Sequence, residues 1–224
     1  MERVPEPELM TAAEQVAAYA GADFAEPHDR FVRLLTERLV DLPATGYAAD
    51  LGCGPCDISM RFARAHAGWR VDAVDGSQAM LDAAAALLDR AGVSARIARH
   101  RLLLPCDPPI DRGYDLVFSN SLLHHLAEPS VLWSALRAWT RPGGAVFVMD
   151  LLRPRSRDAA RALVDEYAAG EPDVLRTDFY NSLLAAYRPD EVRGQLARAA
   201  LENLAVEVVS DRHWIAWGRL SAVE

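Results

Sequence analysis

The sequence predicts an α/β protein built on a doubly wound, mostly parallel sheet of seven strands. Between residues 47 and 152, apolar runs of strand length alternate with helical stretches of roughly 10 to 15 residues, which is typical of parallel crossover units. The last two apolar runs are separated only by the short segment "SDR". A link of that length predicts an antiparallel hairpin at the edge of the sheet.

The composition predicts one domain with one sizeable core, since the chain has 224 residues of which 51% are hydrophobic. The net charge of -8 disfavours a broad electrostatic grip on nucleic acid or on a membrane surface. No apolar run approaches the roughly 20 residues needed to cross a bilayer. The first residues, "MERVPEPELM", lack the order of a signal peptide. We therefore expect a cytoplasmic protein that binds neither nucleic acid nor membrane.

The number of cysteines also favours a cytoplasmic protein. The three cysteines cannot form the even framework of a secreted, disulfide-stapled domain, and no second Cys/His pair stands at zinc spacing. The prediction is that the protein has neither a structural disulfide nor a metal.

The single domain, residues 1–224, divides into four predicted parts. Residues 1–42 form a helical lid with helices over 11–23 and 27–42, and residues 47–152 form a ligand-binding core. Residues 153–188 form a helical insertion after the fifth strand, and residues 189–224 form a final helix and the hairpin. Within the core, the segment "RPGG" predicts a turn before the fifth strand.

The segment "ADLGCGP" predicts a ligand-binding loop between the first strand and the first core helix. Gly52 and Gly54 let the backbone approach a ligand closely, and the following helix N-terminus directs N–H groups at it. Asp75 ends the second strand 21 positions after Gly54, where a carboxylate can accept hydrogen bonds from ribose hydroxyls. Together these features predict an adenosyl ligand. The overlapping tetrapeptide C-G-P-C also allows a redox site, which would require Cys53 to be an exposed thiolate; we favour the ligand-binding loop.

Four segments together resemble class I S-adenosylmethionine-dependent methyltransferases: "ADLGCGP", "VDAVDGSQAML", "YDLVFSNSLLHHL" and "RPGGAVFVMD". The resemblance is close over residues 47–153. It implies a Rossmann-like fold and S-adenosylmethionine as cofactor. The cofactor-binding residues that it implies, together with those placed at the strand ends, are Asp50, Gly52, Cys53, Gly54, Asp75, Gly76, Ser77, Met80, Arg101, Ser119 and Asn120.

The resemblance also implies what these residues do. Asp50 would orient the loop and the methionine ammonium group, the segment 52–54 would wrap the amino-acid part, Asp75 would hold the ribose, and Met80 would contact the adenine with the residues at 76–77. The chain departs from the family in two places. Cys56 stands where a third glycine is common, and His100 stands where an acid often binds the adenine amino group, so that contact is expected from backbone groups around Arg101.

Methyl transfer from a sulfonium is an in-line displacement that depends mainly on positioning and on exclusion of water. If the acceptor is a hydroxyl, a thiol or an acidic carbon, a general base helps, and a histidine suits that role near neutral pH. His124, just beyond the fourth strand, is the candidate catalytic residue; the alternative is that both histidines there only pack. The residues expected to contact the acceptor are Tyr19, Phe24, His28, His125, Arg153, Tyr180 and Asn181.

We therefore expect a methyltransferase that acts on a small molecule, as a monomer or a homodimer, with the acceptor atom (oxygen, nitrogen, sulfur or carbon) left open. Two alternatives remain. One is methylation of a peptide or RNA through an accessory partner, and the other is a cofactor-binding protein without transfer activity.

Overall fold

The computed structural model describes residues 1–6 and 13–221. The strands are β1 (Thr45–Leu51), β2 (Gly68–Asp75), β3 (Ile97–Arg101), β4 (Tyr114–Asn120), β5 (Thr140–Leu151), β6 (Ala205–Val208) and β7 (His213–Arg219). The helices are α1 (Ala13–Gly21), α2 (Ala25–Arg38), α3 (Asp57–Ala65), α4 (Gln78–Ala91), α5 (Ser130–Trp139), α6 (Arg157–Tyr167), α7 (Asp173–Ala185) and α8 (Pro189–Arg198). The beginning of the first predicted helix, at residues 11 and 12, lies outside the described residues.

The strands form one sheet in the order β3-β2-β1-β4-β5-β7-β6. The first five strands are parallel, and β7 runs antiparallel to both of its neighbours. The predicted fold, including the hairpin at the edge, is therefore confirmed. Since the strand order reverses between β1 and β4, a crevice opens at their carboxyl ends, where sheets of this kind bind ligands.

Helices cover both faces of the sheet. Helices α2, α3 and α4 pack on one face, and α5 and α8 pack on the other. In α2, the Phe31 ring is fully buried, and its centroid lies 5.8 Å from that of Phe118 and 5.1 Å from that of Phe147. The segment predicted as a lid thus contributes a large aromatic residue to the core.

The turn predicted before the fifth strand belongs to the sheet. β5 already begins at Thr140, which pairs with Tyr114, and the register then shifts between Tyr114 and Leu116. A Cβ on Gly144 would lie 2.8 Å from the carbonyl oxygen of Arg141. The backbone therefore folds closely on itself at this irregularity, which is why a glycine-rich segment occupies it. No helix among the described residues is long and apolar enough to cross a membrane.

Candidate active site

A cavity of about 670 Å³ opens at the carboxyl ends of the central strands. Gly52, Asp75 and Asn120 line it from the sheet side. Phe24, before α2, and Phe179, on α7, line it from the covering helices. Its volume lies within the range of roughly 300–1,000 Å³ that is usual for small-molecule pockets.

The loop after β1 is held by the end of β2. The N–H groups of Gly52 and Cys53 donate to the carbonyl oxygen of Val74 at 2.8 and 3.0 Å. One oxygen of the Asp75 carboxylate accepts from Gly54 N and the other from Ser77 N, both at 2.8 Å. A carboxylate has about four lone-pair sites, so Asp75 can still accept two hydrogen bonds from a ligand.

Asp50 lies beneath this loop and is almost completely buried. Ser59 Oγ donates to its Oδ2 at 2.6 Å, and burial raises the pKa of the Asp50 carboxyl to about 7. Asp50 and Cys53 line a small cavity of about 30 Å³. That cavity shares wall residues with the large one, among them Gly52 and Asn120. When ionised, the Asp50 carboxylate can therefore attract a positive charge in the adjoining cavity.

The two cysteines of the loop are buried free thiols with their sulfur atoms 3.6 Å apart. Burial raises the pKa of the Cys53 thiol well above its usual value, which opposes formation of a thiolate. Cys56 has a left-handed backbone with φ of 61°, a conformation that favours glycine. A glycine would adopt this turn without strain, which accounts for the glycine that the family commonly has here.

Another part of the cavity wall is apolar. Met80 and the segment 102–105 line it beside Gly76 and Ser77. The side chain of Arg101 is exposed, and the Nε2 atom of His100 lies 2.8 Å from Asp72 Oδ1. Neither of those side chains lines the cavity.

His124 and His125 line the cavity in a short turn after β4. The Nδ1 atom of His124 lies 2.5 Å from Asp150 Oδ1, and its Nε2 atom lies 3.4 Å from Glu6 Oε1. The same Glu6 oxygen lies 3.1 Å from His125 Nδ1. Burial lowers the pKa of His124, but the charges of Asp150 and Glu6 outweigh this effect and raise it overall.

A family model for a methyltransferase domain matches residues 49–146. The chain is 29% identical over 174 residues to trans-aconitate 2-methyltransferase of Delftia acidovorans, covering 71% of this chain and 62% of that protein. The chain thus spans less than two thirds of the curated relative's length. A SAM-dependent methyltransferase from Aquifex aeolicus superposes with a TM-score of 0.66 at 15% identity, covering 94% of this chain and all of that one. The plantazolicin methyltransferase BpumL, in complex with a monoazolic desmethylPZN analog and SAH, superposes with a TM-score of 0.70 at 11% identity. This match covers 93% of this chain and 90% of that one.

These matches support the class I S-adenosylmethionine-dependent methyltransferase family. The chain's own residues suit the cofactor of that family. Gly52 and Gly54 both have positive φ, and a Cβ on Gly52 would lie 2.9 Å from Leu122, so this backbone is open only to glycine. The buried Oδ1 atom of Asn120 accepts no hydrogen bond from the described residues and is available to a donor on a ligand.

The structure brings most of the predicted cofactor residues to the two cavities, where Asp50 and Cys53 line only the smaller one. The two exceptions are Ser119 and Arg101. Ser119 is fully buried and donates from Oγ to the carbonyl oxygen of Leu51 at 2.8 Å. It therefore joins β4 to β1 instead of lining the site. Arg101 donates from Nε to the carbonyl oxygen of Gly76 at 3.5 Å and lines neither cavity.

Four of the predicted acceptor residues line the large cavity: Tyr19, Phe24, His28 and His125. The other three do not reach it. Arg153 is buried against α8, where its guanidinium lies 2.5 Å from Glu191 Oε1. Tyr180 packs toward α6 with the Arg161 guanidinium 5.9 Å from its ring, and Asn181 is exposed.

The orientation of α7 about its own axis explains why Tyr180 and Asn181, which lie on that helix, do not reach the cavity. It does not explain the position of Arg153, which lies outside α7. The cavity face of α7 carries Leu175, Asp178, Phe179 and Ser182, which follow the spacing of one helical face. Tyr180 and Asn181 lie on other faces. Sequence reasoning selected the right helix and missed its orientation.

Sequence reasoning also missed Glu6. Its carboxylate reaches His124 and His125 across more than a hundred residues of chain. Ser182 Oγ donates to it at 3.0 Å. The segment before it is fixed because Arg3 donates to the carbonyl oxygens of Ala185 at 2.6 Å and His124 at 2.9 Å. No local motif signals such a contact.

Proposed function

We propose that this methyltransferase transfers the methyl group of S-adenosylmethionine to a small acceptor that is neutral or positively charged. The observation that supports this most is that one cavity joins the glycine loop and Asp75 to side chains from the covering helices. Cofactor and acceptor would therefore occupy the same enclosure. The cytoplasmic location and the monomeric or dimeric state remain predictions.

The residues that would hold the cofactor are those around the loop. Gly52 and Gly54 would surround its amino-acid part, Asp50 would face the ammonium group, and Asp75 would accept from the ribose hydroxyls. When bound, the cofactor supplies a methyl group on a positively charged sulfur, which an acceptor atom displaces as the sulfur leaves as a neutral thioether. The chain contributes positioning and the exclusion of water, which are the main requirements of such a displacement.

The charge of the cavity wall supports the class of acceptor. Six carboxylates and one guanidinium line the cavity among the described residues, and the chain has no lysine. The carboxylates are those of Asp23, Glu26, Asp75, Glu128, Glu171 and Asp178, and the guanidinium is that of Arg212. An acceptor with several negative charges would meet repulsion there. We therefore infer that this chain does not share the tricarboxylate acceptor named for its relative from Delftia acidovorans.

The proposal is tested with methyl-labelled S-adenosylmethionine and a cell extract separated by size. Label in the small-molecule fraction supports the proposed function. Label in protein or RNA supports a macromolecular acceptor, and binding of the cofactor without any labelled product supports a protein without transfer activity. In parallel assays of pure compounds, we expect trans-aconitate to give no methylated product by mass spectrometry, and a product at a rate comparable to that of the best neutral or amine acceptor would contradict the charge argument.

Asp50 should make cofactor binding depend on pH. Its pKa of about 7 means that the carboxyl is mostly protonated at pH 6 and mostly ionised at pH 8. An ammonium group favours the ionised form, so affinity should rise with pH, and the Kd should fall roughly tenfold from pH 6 to pH 8. Calorimetric titration at several pH values measures this. Asp50→Asn, which does not ionise, should give a flat profile, and a wild-type profile that is equally flat would remove Asp50 from the ammonium site.

Gly52→Ala should disrupt the loop. The new Cβ would lie within 3.0 Å of the Leu122 side chain at a φ of +72°, so we expect at least a roughly tenfold loss of cofactor affinity and about 1–3 kcal/mol of stability. Gly92→Ala is the matched control, since Gly92 also has a positive φ of +69° but nothing within 4 Å. It should lose some stability and keep its cofactor affinity. Equal affinity losses in both variants would show that general destabilisation, not the loop, is responsible.

A further inference from the structure

Three potential metal ligands converge on the wall of the cavity. Glu6, His124 and His125 each offer one donor atom, and the three atoms lie within 4.8 Å of one another. The Glu6 oxygen is 3.4 Å from His124 Nε2 and 3.1 Å from His125 Nδ1. Two donors bound at about 2.1 Å to one metal at a tetrahedral angle lie about 3.4 Å apart. Both separations therefore already match neighbouring ligands of a single ion.

The side chains behind these donors would orient them. Asp150 Oδ1 lies 2.5 Å from His124 Nδ1, and this bond leaves Nε2 directed away from the carboxylate. Ser182 Oγ donates to Glu6 at 3.0 Å. A carboxylate behind a ligating histidine and a hydrogen bond to a ligating carboxylate are the usual outer shell of a metal site.

The charges of the cluster are also suited to a cation. Glu6 and Asp150 place two carboxylates on either side of one buried imidazole, and only His125 shows appreciable side-chain exposure, at 17%. Buried charges are stable only when they are paired or when they coordinate a metal. The Arg3 guanidinium nearby offsets one of these negative charges, and a cation between Glu6 and the two imidazoles would neutralise the one that remains while the imidazoles stay uncharged.

We propose that Glu6, His124 and His125 bind a divalent transition-metal ion of the zinc type at the cavity wall. Two imidazoles and one carboxylate suit zinc, cobalt or nickel better than magnesium or calcium, which prefer oxygen ligands. Three protein ligands leave an open coordination position, as in catalytic sites. Because both histidines line the cavity, the metal would lie at its wall, beside the space assigned to the acceptor.

A metal at this place has a consequence for the chemistry of His124. With its Nε2 atom on the metal, His124 does not accept a proton, so the predicted role as general base applies only to the metal-free protein. The metal instead lowers the pKa of a hydroxyl bound at its open position, as it does for water. The metal site is independent of the proposed methyl transfer, because its three ligands are side chains of this chain and can bind a metal without cofactor or acceptor.

The test is calorimetric titration of Zn²⁺ into the full chain, purified without a polyhistidine tag and treated with a chelator. We expect about one Zn²⁺ per chain, and visible absorption bands when Co²⁺ replaces it. Glu6→Gln and His125→Ala should each weaken Zn²⁺ binding at least roughly tenfold. His100→Ala is the matched control, because His100 also faces a carboxylate, that of Asp72 at 2.8 Å, but lies outside the cluster; it should bind as the wild type does.

Two variants are used so that a change of fold in one of them, which circular dichroism and thermal unfolding would reveal, does not decide the test. Glu6→Gln preserves shape, and His125 is the more exposed histidine. The absence of saturable binding at about 10 µM free Zn²⁺, far above the Kd of structural zinc sites, would overturn the proposal. Binding that is equally tight in both cluster variants and in the control would overturn it as well.

Discussion

Asp75→Ala is expected to abolish measurable S-adenosylmethionine binding while the fold remains intact. The variant removes the two acceptor positions proposed for the ribose hydroxyls and also the acceptors of Gly54 N and Ser77 N. A hydrogen bond to a charged group contributes about 1.5–3 kcal/mol. Loss of two such bonds to the ligand corresponds to about 3–6 kcal/mol, or roughly a hundredfold to ten-thousandfold in Kd. Calorimetric titration of the cofactor measures the effect.

Asp178→Asn is the matched control for this experiment. Asp178 also contributes a carboxylate to the cavity, but from α7 and not from the sheet. It accepts from Gln15 at 2.8 Å, so an amide can replace it with little strain, and cofactor affinity should stay within about threefold of the wild type. Asp75→Asn, which keeps one carbonyl oxygen, should fall between Asp75→Ala and the wild type. Unchanged affinity in Asp75→Ala would rule out its proposed place in the cofactor site.

The parts of the site that were predictable depend on local rules. The glycine loop and Asp75 each stand at the end of a strand, and in a parallel sheet those ends meet at one edge. Asp75 Oδ2 and Gly54 N are indeed 2.8 Å apart, although 21 positions separate them. The strand alternation predicted the fold for the same reason, because the crossover rule acts on consecutive elements.

The parts that were not predictable depend on packing between distant elements. Which face of α7 turns toward the cavity depends on how that helix packs against neighbouring elements, and Asp178 and Phe179 face the cavity whereas Tyr180 does not. The helix is weakly amphipathic, and its polar and aromatic residues are mixed on all sides. Glu6 is a stronger case, since its position depends on Arg3 binding carbonyl oxygens of Ala185 and His124. Neither placement has a signature in sequence spacing.

Phe31→Ala should lower the free energy of unfolding by about 3–5 kcal/mol, the usual cost of removing a buried aromatic ring. Phe31 is fully buried, and its ring contacts Phe118 of β4 and Phe147 of β5. The substitution would leave a cavity between α2 and the centre of the sheet, and these neighbours are too constrained by strand pairing to fill it. Urea unfolding followed by circular dichroism measures the change, with the m-value expected to stay constant.

Phe24→Ala separates the two roles of the N-terminal helices. Phe24 lies before α2, lines the cavity and is only half-buried, with its ring 4.8 Å from that of Tyr19. Its removal should cost less than about 1.5 kcal/mol of stability and should mainly weaken the binding of ligands in the cavity. If residues 1–42 acted only as a lid, Phe31→Ala would cost as little as Phe24→Ala, because a lid makes no essential contact with the sheet. A large difference between the two variants would mean that α2 belongs to the folding core and that only the junction before it contributes to the site.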